Sequence, residues 1–279
     1  MVNRRDYTAE AVEACKSVLL ELLRVLGEFR DQVVLVGGWV PGLLLRDAPE
    51  RHVGTLDVDL AVDVANLPEE TYESFLRALE ARGYRQDKAQ PFRFYRDVPV
   101  PGGAPIVVEV DFLAGEYGGT GPRHRTQAVR DIRARKARGC DLVFENSVKV
   151  TVEGRLPAGG VEKATVRVAG IVPWLVMKGM ALADRIKEKD AYDIVYVIRH
   201  YPGSRRALAI DLRPHLDNFL VREGLGKIRS KFASANHWGP IAVADFLGVT
   251  EPEERAITTR RAYEEVTALL DELGIPPWP

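Results

Sequence analysis

The strongest constraint on the fold of this chain is an apolar segment that carries two acids, "VGTLDVDLAVDV" from Val53 to Val64. Successive side chains of a β-strand point to opposite faces of a sheet. A strand here turns Asp57 and Asp59 to one face and its apolar side chains to the other. Two neighbouring carboxylates repel each other and lose hydration when they are buried. The segment therefore predicts a sheet with one buried face and one face that is hydrated or compensated by a cation.

A second apolar segment repeats the pattern. In "APIVVEVDFLAG" (Ala104 to Gly115), Glu109 and Asp111 share one strand face. If the two strands are neighbours, three or four carboxylates gather on one patch of the sheet. Mg²⁺ would compensate their repulsion, because it binds one or two protein carboxylates together with substrate phosphates. Two such ions about 3.5–4 Å apart hold the attacking and leaving oxygens of an in-line displacement.

A glycine pair precedes the first of these strands. "VVLVGG" (Val33 to Gly38) predicts a short buried strand that runs into Gly37 and Gly38, and "WVPGLLLRD" predicts a short helix after them. Bare backbone can approach a phosphate, and a helix N-terminus favours its charge. The order of strand, glycine pair, helix and two acid-bearing strands is more specific than any one of its parts.

This order resembles the polymerase-β-type nucleotidyltransferase superfamily, whose members have a glycine pair, a D-x-D strand and a third carboxylate on a later strand. Asp57 and Asp59 match the D-x-D, and Asp111 best matches the third acid, with Glu109 as its neighbour or substitute. The resemblance implies transfer of a nucleotidyl group from an NTP, with Mg²⁺ or Mn²⁺ and release of pyrophosphate. It implies that Asp57, Asp59 and Asp111 are catalytic and hold the metal, and that Asp111 helps to deprotonate the acceptor.

One residue departs from the pattern. The family usually has Ser or Thr directly after the glycine pair, where it contacts phosphate, and Trp39 stands there in this chain. Members with "GGW" exist, including small-molecule (aminoglycoside-type) transferases. Two alternatives to an RNA-directed enzyme therefore stay open: a small-molecule transferase, and a catalytically degenerate nucleotide-binding module.

The segment "MKGMALADRIKEKDAYDIVYVI" supplies a second set of charges. Lys178 and Arg185 share one helix face, and Asp190 and Asp193 lie about one turn apart on the next helix. Taken alone, the segment predicts a solvated face with local ion pairs. Its spacing, however, resembles the AbiEii/AbiGii-type nucleotidyltransferase toxins.

The toxin resemblance implies roles for these four residues. Lys178 would contact the triphosphate or the acceptor and take part in catalysis, and Asp190 or Asp193 would orient it or complete the active site. Arg185 would serve the same end or pair with Asp190. The implied nucleotide-binding set is Gly37, Gly38, Lys178, Arg185, Asp190 and Asp193. The resemblance also implies a type IV-like toxin–antitoxin or phage-defence system, with a cognate antitoxin as partner.

Positive charge is concentrated in "RHRTQAVRDIRARKARG", where seven basic residues stand against one acid. The segment predicts either a solvated helix or a patch for an RNA backbone or a triphosphate. Together with the toxin resemblance it favours an RNA acceptor, such as the acceptor end of tRNA, bound by Arg130, Arg133 and Arg135.

Composition excludes several other classes. Over 279 residues the chain is 46% hydrophobic and 28% charged with a net charge of −1, which is ordinary for a globular protein and gives no global signal for nucleic acid or membrane. Two cysteines, Cys15 and Cys140, do not suggest a disulfide framework or a metal cluster. No apolar run approaches the roughly 20 residues of a membrane span, and the first residues lack the apolar core of a secretory signal. We expect a reduced, cytoplasmic protein that does not bind membranes.

The periodicity predicts the α/β (α+β) class. Helices are expected at Thr8–Phe29 and Glu69–Arg82, a third strand at "QPFRFYRDV", and paired strands within residues 141–170. Everything from Ile171 onward has a helical pattern. The expected architecture is a nucleotidyltransferase-type mixed β-sheet core with flanking helices (1–122), a basic segment and β-hairpin (123–170) and a helical C-terminal domain (171–279).

Overall fold

A computed structural model of the chain describes residues 3–63, 77–116, 126–129 and 132–279. The chain divides into two compact units. The sheet unit comprises Thr8–Val40 and Gly54–Gly170, and the helical unit comprises Met1–Tyr7, Pro41–Val53 and Ile171–Pro279. The domain limits expected from the sequence stay a prediction. In the described part, no helix combines the length and the apolar character needed to cross a membrane.

Strands and helices alternate through the first 170 residues. In chain order the elements are α1 (Ala9–Leu26), β1 (Val33–Val36), α2 (Trp39–Leu44), β2 (Asp57–Val62), β3 (Arg85–Gln86), β4 (Arg93–Val98), β5 (Ile106–Ala114), β6 (Thr126–Val129), β7 (Ile132–Lys136), α3 (Leu142–Glu145), β8 (Ser147–Arg155) and β9 (Val161–Ala169). The remaining chain is helical: α4 (Ile171–Asp184), α5 (Glu188–His200), α6 (Arg205–Leu212), α7 (Phe219–Lys231), α8 (Trp238–Leu247) and α9 (Pro252–Glu272).

The strands of the described residues form one mixed sheet in the order β3-β4-β5-β2-β1-β9-β8, with β7 pairing to both β5 and β6. Strand β2 is parallel to β5 and antiparallel to β1, and β9 is parallel to β1. The hairpin of β8 and β9 thus extends the same sheet. The predicted fold class, a mixed sheet with flanking helices followed by a helical C-terminal part, is confirmed.

Helix α1 covers the apolar side of the sheet. The Thr8 side chain accepts a hydrogen bond from the Ala11 amide at 3.1 Å, so it caps the helix as predicted. The fully buried aromatic side chains of Phe94 and Phe112 meet edge to face on β4 and β5, with their ring centroids 5.6 Å apart. The other face of the same strands carries the acids, as the alternation predicts.

The helical unit is held together by close helix packing. A Cβ atom at Gly179 of α4 would lie 2.1 Å from the Gly224 carbonyl oxygen of α7, so the two backbones meet directly. Helix α8 lies in the part of the chain, from Ile171 onward, for which a helical pattern was predicted. It ends at Gly248, which adopts a left-handed conformation with φ 70°.

The structure corrects three details of the sequence analysis. The basic segment, for which a helix was one expectation, contains the antiparallel strands β6 and β7 in its described part. The expected third strand is β4, and it pairs with a short additional strand, β3. Residues 142–145 of the region expected to form paired strands are helical.

Several predictions fall outside the described residues. These include most of the predicted helix Glu69–Arg82, whose described residues 77–82 are helical over 77–80. Arg130 and most of the glycine-rich loop at residues 114–124 are also outside. Arg133 lies on β7, and nothing is described of its side chain.

Candidate functional site

Four acidic side chains lie on one face of the sheet. In the parallel pair of β2 and β5, Asp57 stands opposite Glu109 and Asp59 stands opposite Asp111. Residues that face each other across neighbouring strands point to the same side. The two acid-bearing strands are therefore direct neighbours, and the four residues form what we call the carboxylate cluster.

The glycine turn lies directly against this cluster. Strand β1 is antiparallel to β2 and pairs Val36 with Asp59, so the chain turns at Gly37 beside that carboxylate. A Cβ atom at Gly37 would lie 2.0 Å from Asp59 Oδ2, and Gly37 has φ +68°. Both the close approach and the backbone conformation favour glycine. Helix α2, which follows the turn, has only six residues.

Two contacts fix the start of β2. The Thr55 hydroxyl, which is buried, donates a hydrogen bond to Asp57 Oδ1. The Cys15 thiol of α1 donates to the Asp57 carbonyl oxygen at 3.3 Å. Asp57 is thus held from both its side chain and its backbone.

Arg93 was not among the predicted site residues, yet it binds the cluster. It stands opposite Asp111 in the antiparallel pair of β4 and β5. Its Nε and Nη2 donate to Asp111 Oδ1 and Oδ2, each at 2.8 Å, and Nη2 lies 2.8 Å from Glu109 Oε1. The hydrogen bonds with Asp111 raise the pKa of Arg93. The sequence signal for Arg93 was the alternation of side chains in "QPFRFYRDV", which places Arg93 and Tyr95 on the same face of a strand.

The carboxylate cluster contains the type of side chain that binds magnesium, but these side chains are not arranged as a magnesium site. Carboxylates are the ligands that Mg²⁺ takes in proteins. Both oxygens of Asp111, however, are engaged by Arg93. Among the residues that the structure describes, no group of three or more His, Cys, Asp or Glu side chains is arranged to hold a metal ion. In this conformation the predicted metal ligands do not fit a metal.

The second set of predicted residues forms a buried network in the helical unit. Lys178 Nζ donates to Asp190 Oδ1 at 2.6 Å and to Asp193 Oδ2 at 2.7 Å. Lys189 Nζ lies 2.8 Å from Asp193 Oδ1, and Arg185 Nε donates to Asp190 Oδ2 at 3.0 Å. The side chains of Lys178, Asp190 and Asp193 are 9%, 2% and 0% exposed. The interpretation as a solvated face is therefore wrong, whereas the local ion pairs are present.

The network holds its members in their charged forms. Burial disfavours the carboxylates, but the lysines outweigh it and keep the pKa of Asp193 well below its usual range. Burial also disfavours the Lys178 ammonium, yet Asp190 and Asp193 together raise its pKa. The predicted contact of Lys178 with a triphosphate stays a prediction.

His52 joins this network and was missed by the sequence analysis. Its Nε2 lies 2.9 Å from Asp193 Oδ1, and its side chain is 1% exposed. Burial lowers the pKa of His52, and its Nε2 donates this hydrogen bond because the carboxylate oxygen can only accept. The two residues are 141 positions apart in the chain, and no local pattern links them.

Comparison with known proteins gives little beyond these observations. No family model and no curated protein sequence matches the chain. Among solved structures, a candidate nucleotidyltransferase from H. pylori is similar with a TM-score of 0.44 and 12% identity, over 96% of this chain and 97% of that one. The nucleotidyltransferase toxin MenT4 from Mycobacterium tuberculosis has a TM-score of 0.44 and 14% identity, over 100% of both chains.

Proposed function

We infer that this protein is a nucleotidyltransferase that moves a nucleotidyl group from an NTP to a hydroxyl acceptor. One observation carries the inference: the glycine turn at Gly37 lies against Asp59, while the register sets Asp59 beside Asp111 and Asp57 beside Glu109. A structural strand pair gains nothing from four adjacent acids, since like charges that face each other are destabilising. A triphosphate and its counter-ions require acids gathered beside a glycine turn, and the carboxylate cluster at Gly37 provides this combination.

In the proposed reaction the acceptor oxygen bonds to the α-phosphorus of the NTP. The bond between that phosphorus and the bridging oxygen to the β-phosphate breaks, and pyrophosphate leaves. The proton of the acceptor hydroxyl passes to a carboxylate of the cluster, for which Asp111 is the candidate. The backbone of Gly37 and Gly38 would lie along the phosphates. Mg²⁺ or Mn²⁺ is the proposed cofactor, and its binding needs a rearrangement at Asp111.

The proposed acceptor is RNA, with tRNA as the first to test, and the proposed role is that of a toxin controlled by an antitoxin. The local excess of basic residues in the 123–138 segment supports an RNA acceptor, since phosphate contacts supply most of the affinity for nucleic acid. Arg135 lies on β7, and this strand pairs with the carboxyl end of the acid-bearing strand β5.

The test is transfer of label from α-³²P-NTPs to total cellular RNA. Asp57→Asn and Asp59→Asn should each lower labelling at least 100-fold, because each removes a charge that the cluster supplies to the reaction. Asp97→Asn is the matched control: it changes an acid of the same sheet that pairs with Arg85 near the surface. Full labelling by both cluster variants would refute the proposed site.

A parallel reaction with purified tRNA and with an aminoglycoside compares the two acceptor classes. Incorporation into tRNA alone would support the RNA acceptor. Incorporation into the aminoglycoside alone would overturn it in favour of a small-molecule transferase, without removing the assignment of the carboxylate cluster.

A nucleotide-binding module without catalysis is the second candidate. The observation that favours it is the bidentate hold of Arg93 on Asp111, which occupies both oxygens of the third carboxylate. Calorimetric titration with each NTP and Mg²⁺ separates the two candidates. Binding without any transfer to RNA or to a small acceptor would favour the module.

A further inference from the structure

Strand β8 ends the strand order of the sheet, and within the described residues β9 is the strand that pairs with it. At the two ends of this pairing, the Leu156 amide donates to the Gly160 carbonyl oxygen and the Gly170 amide donates to the Asn146 carbonyl oxygen. Hydrogen-bonded and non-hydrogen-bonded pairs alternate along antiparallel strands. The even-numbered residues of β8 therefore bond to β9, and the odd-numbered residues direct their backbone N–H and C=O groups to the outer edge of the sheet.

Two of these odd-numbered residues carry opposite charges. The side chains of Lys149 and Glu153 are 70% and 59% exposed. Lys149 Nζ lies 3.7 Å from Asp31 Oδ1, and Glu153 Oε2 lies 3.5 Å from Lys163 Nζ. Exposed ion pairs of this kind contribute little to stability. Lys149 and Glu153 can therefore take other charged partners at small cost.

The sequence of β8 is complementary to itself when two copies run antiparallel. If Lys149 of one copy stands opposite Glu153 of the second copy, symmetry sets Glu153 of the first opposite Lys149 of the second. The same register pairs Val150 with Val152. It also sets Val148, which is 48% exposed, opposite Gly154, where no side chain obstructs it. Opposite charges and apolar residues thus meet on their respective faces.

Other registers do not satisfy the same conditions. A shift by two residues in one direction sets Lys149 opposite Arg155, and like charges that face each other are destabilising. The same shift in the other direction sets Lys149 and Glu153 opposite uncharged residues. A shift by one residue sets the outer N–H groups opposite residues that already bond to β9. One register alone satisfies both the backbone and the charges, which favours a second copy of this chain over an unrelated strand.

We propose that β8 forms the interface of a symmetric dimer, in which the outer edges of two copies pair with Lys149 opposite Glu153 on both sides of the two-fold axis. An edge strand is a template for pairing with another chain, and a two-fold axis brings together the same surface from both copies. The sheet then continues from one copy into the other. This inference concerns assembly and is independent of the proposed nucleotidyl transfer.

The test is sedimentation equilibrium of the full chain over a range of concentrations. The unsubstituted protein should dimerise. Lys149→Glu and Glu153→Lys should each raise the Kd of the dimer on the order of 10-fold or more, because each replaces two attractive contacts by two repulsive ones. Arg85→Glu is the matched control, since it makes the same change of charge at β3, at the opposite end of the strand order, and should leave the Kd unchanged.

An equimolar mixture of the two charge variants gives the sharpest comparison. In a dimer of Lys149→Glu with Glu153→Lys, both cross-strand contacts again join opposite charges. The mixture should therefore dimerise with about the Kd of the unsubstituted protein, although each variant alone does not. A general effect of net charge or of misfolding would not be reversed by mixing.

Three results would overturn the proposal. The first is an unsubstituted protein that is still monomeric at about 100 µM. The second is a dimer whose Kd neither charge variant changes, since its interface would then lie elsewhere. The third comes from hydrogen exchange of the unsubstituted protein, which decides even if a charge variant does not fold. The Lys149 and Glu153 amides should exchange more slowly at high than at low protein concentration, and equal rates in a protein that dimerises would exclude β8 from the interface.

Discussion

Replacing Lys178 by methionine tests whether the buried network is a structural element of the helical unit. Methionine has nearly the shape of the lysine stem but no ammonium group. The substitution removes the 2.6 Å contact with Asp190 and the 2.7 Å contact with Asp193 and leaves both carboxylates in place. Their side chains are 2% and 0% exposed, so water cannot replace the lost donor.

The expected loss in the free energy of unfolding depends on the partners that Asp190 and Asp193 keep in the variant. Breaking a buried ion pair by removing one member costs about 3–5 kcal/mol, since it leaves an uncompensated charge. Here Asp190 keeps Arg185, and Asp193 keeps Lys189 and His52. Because each carboxylate keeps a cation or a donor, we expect the lower end of the range, about 3 kcal/mol.

The assay is urea unfolding followed by tryptophan fluorescence. Trp174 is a suitable reporter because it is 1% exposed and its ring lies 5.7 Å from Lys178 Nζ. Lys163→Met is the matched control, since Lys163 pairs with Glu153 at the surface, and it should leave the free energy of unfolding unchanged. A loss of less than about 1 kcal/mol in Lys178→Met would refute the reasoning, because that is the range of exposed pairs.

The stability difference between the unsubstituted protein and Lys178→Met should depend on pH. The lowered pKa values of Asp190 and Asp193 stabilise the folded state above the unfolded value of about 3.9, and this stabilisation is lost as the pH falls through the folded values. The raised pKa of Lys178 stabilises the folded state at pH values below the unfolded pKa of about 10.4. This contribution is lost as the pH rises through the pKa of Lys178 in the folded state. The stability difference between the unsubstituted protein and Lys178→Met should therefore be present at neutral pH and shrink below about pH 4.

Two further predictions follow from close packing in the sheet unit. Gly37→Ala should lower the free energy of unfolding by about 1–2 kcal/mol for its left-handed backbone and should abolish RNA labelling, because the new methyl displaces Asp59. Gly103→Ala is its control, since the nearest atom to a Cβ there is 3.6 Å away, and normal labelling by Gly37→Ala would contradict the proposed site. Burial raises the pKa of the Cys140 thiol, so iodoacetamide at pH 8 should modify Cys140 only in urea, as measured by intact mass. Modification of Cys140 in the native protein would refute its burial.

The sequence predicted the fold class because its clearest signals were local. Alternating acids and apolar residues in β2 and β5 indicated the two faces of the sheet, and both strands are present. Strands β6 and β7 were missed because they lie in a segment rich in basic residues, a composition that does not distinguish a polar strand from a polar helix. Helix α8 lies in the part of the chain with the predicted helical pattern, and Pro240 is tolerated in its first turn.

The site was less predictable than the fold, because its decisive contacts cross the chain. The acids of the carboxylate cluster were found from a period of two residues, whereas the pairing of Arg93 with Asp111 depends on the register of β4 and β5. No property of "QPFRFYRDV" alone states which strand it pairs with. His52 was missed for the same reason, since its partner Asp193 lies on a distant helix.

The chain compensates the repulsion between carboxylates in two different ways. In the helical unit the carboxylates are buried, and each is held by at least two donors from this chain. Removing one member of such a network destabilises the unit, and its members already compensate one another's charge. In the sheet unit Arg93 is shared by Asp111 and Glu109, and the side chains of Asp57, Asp59 and Glu109 are partly exposed to water. The acids of the carboxylate cluster are thus less completely compensated by this chain than those of the buried network, and for this reason we propose the reaction at the carboxylate cluster.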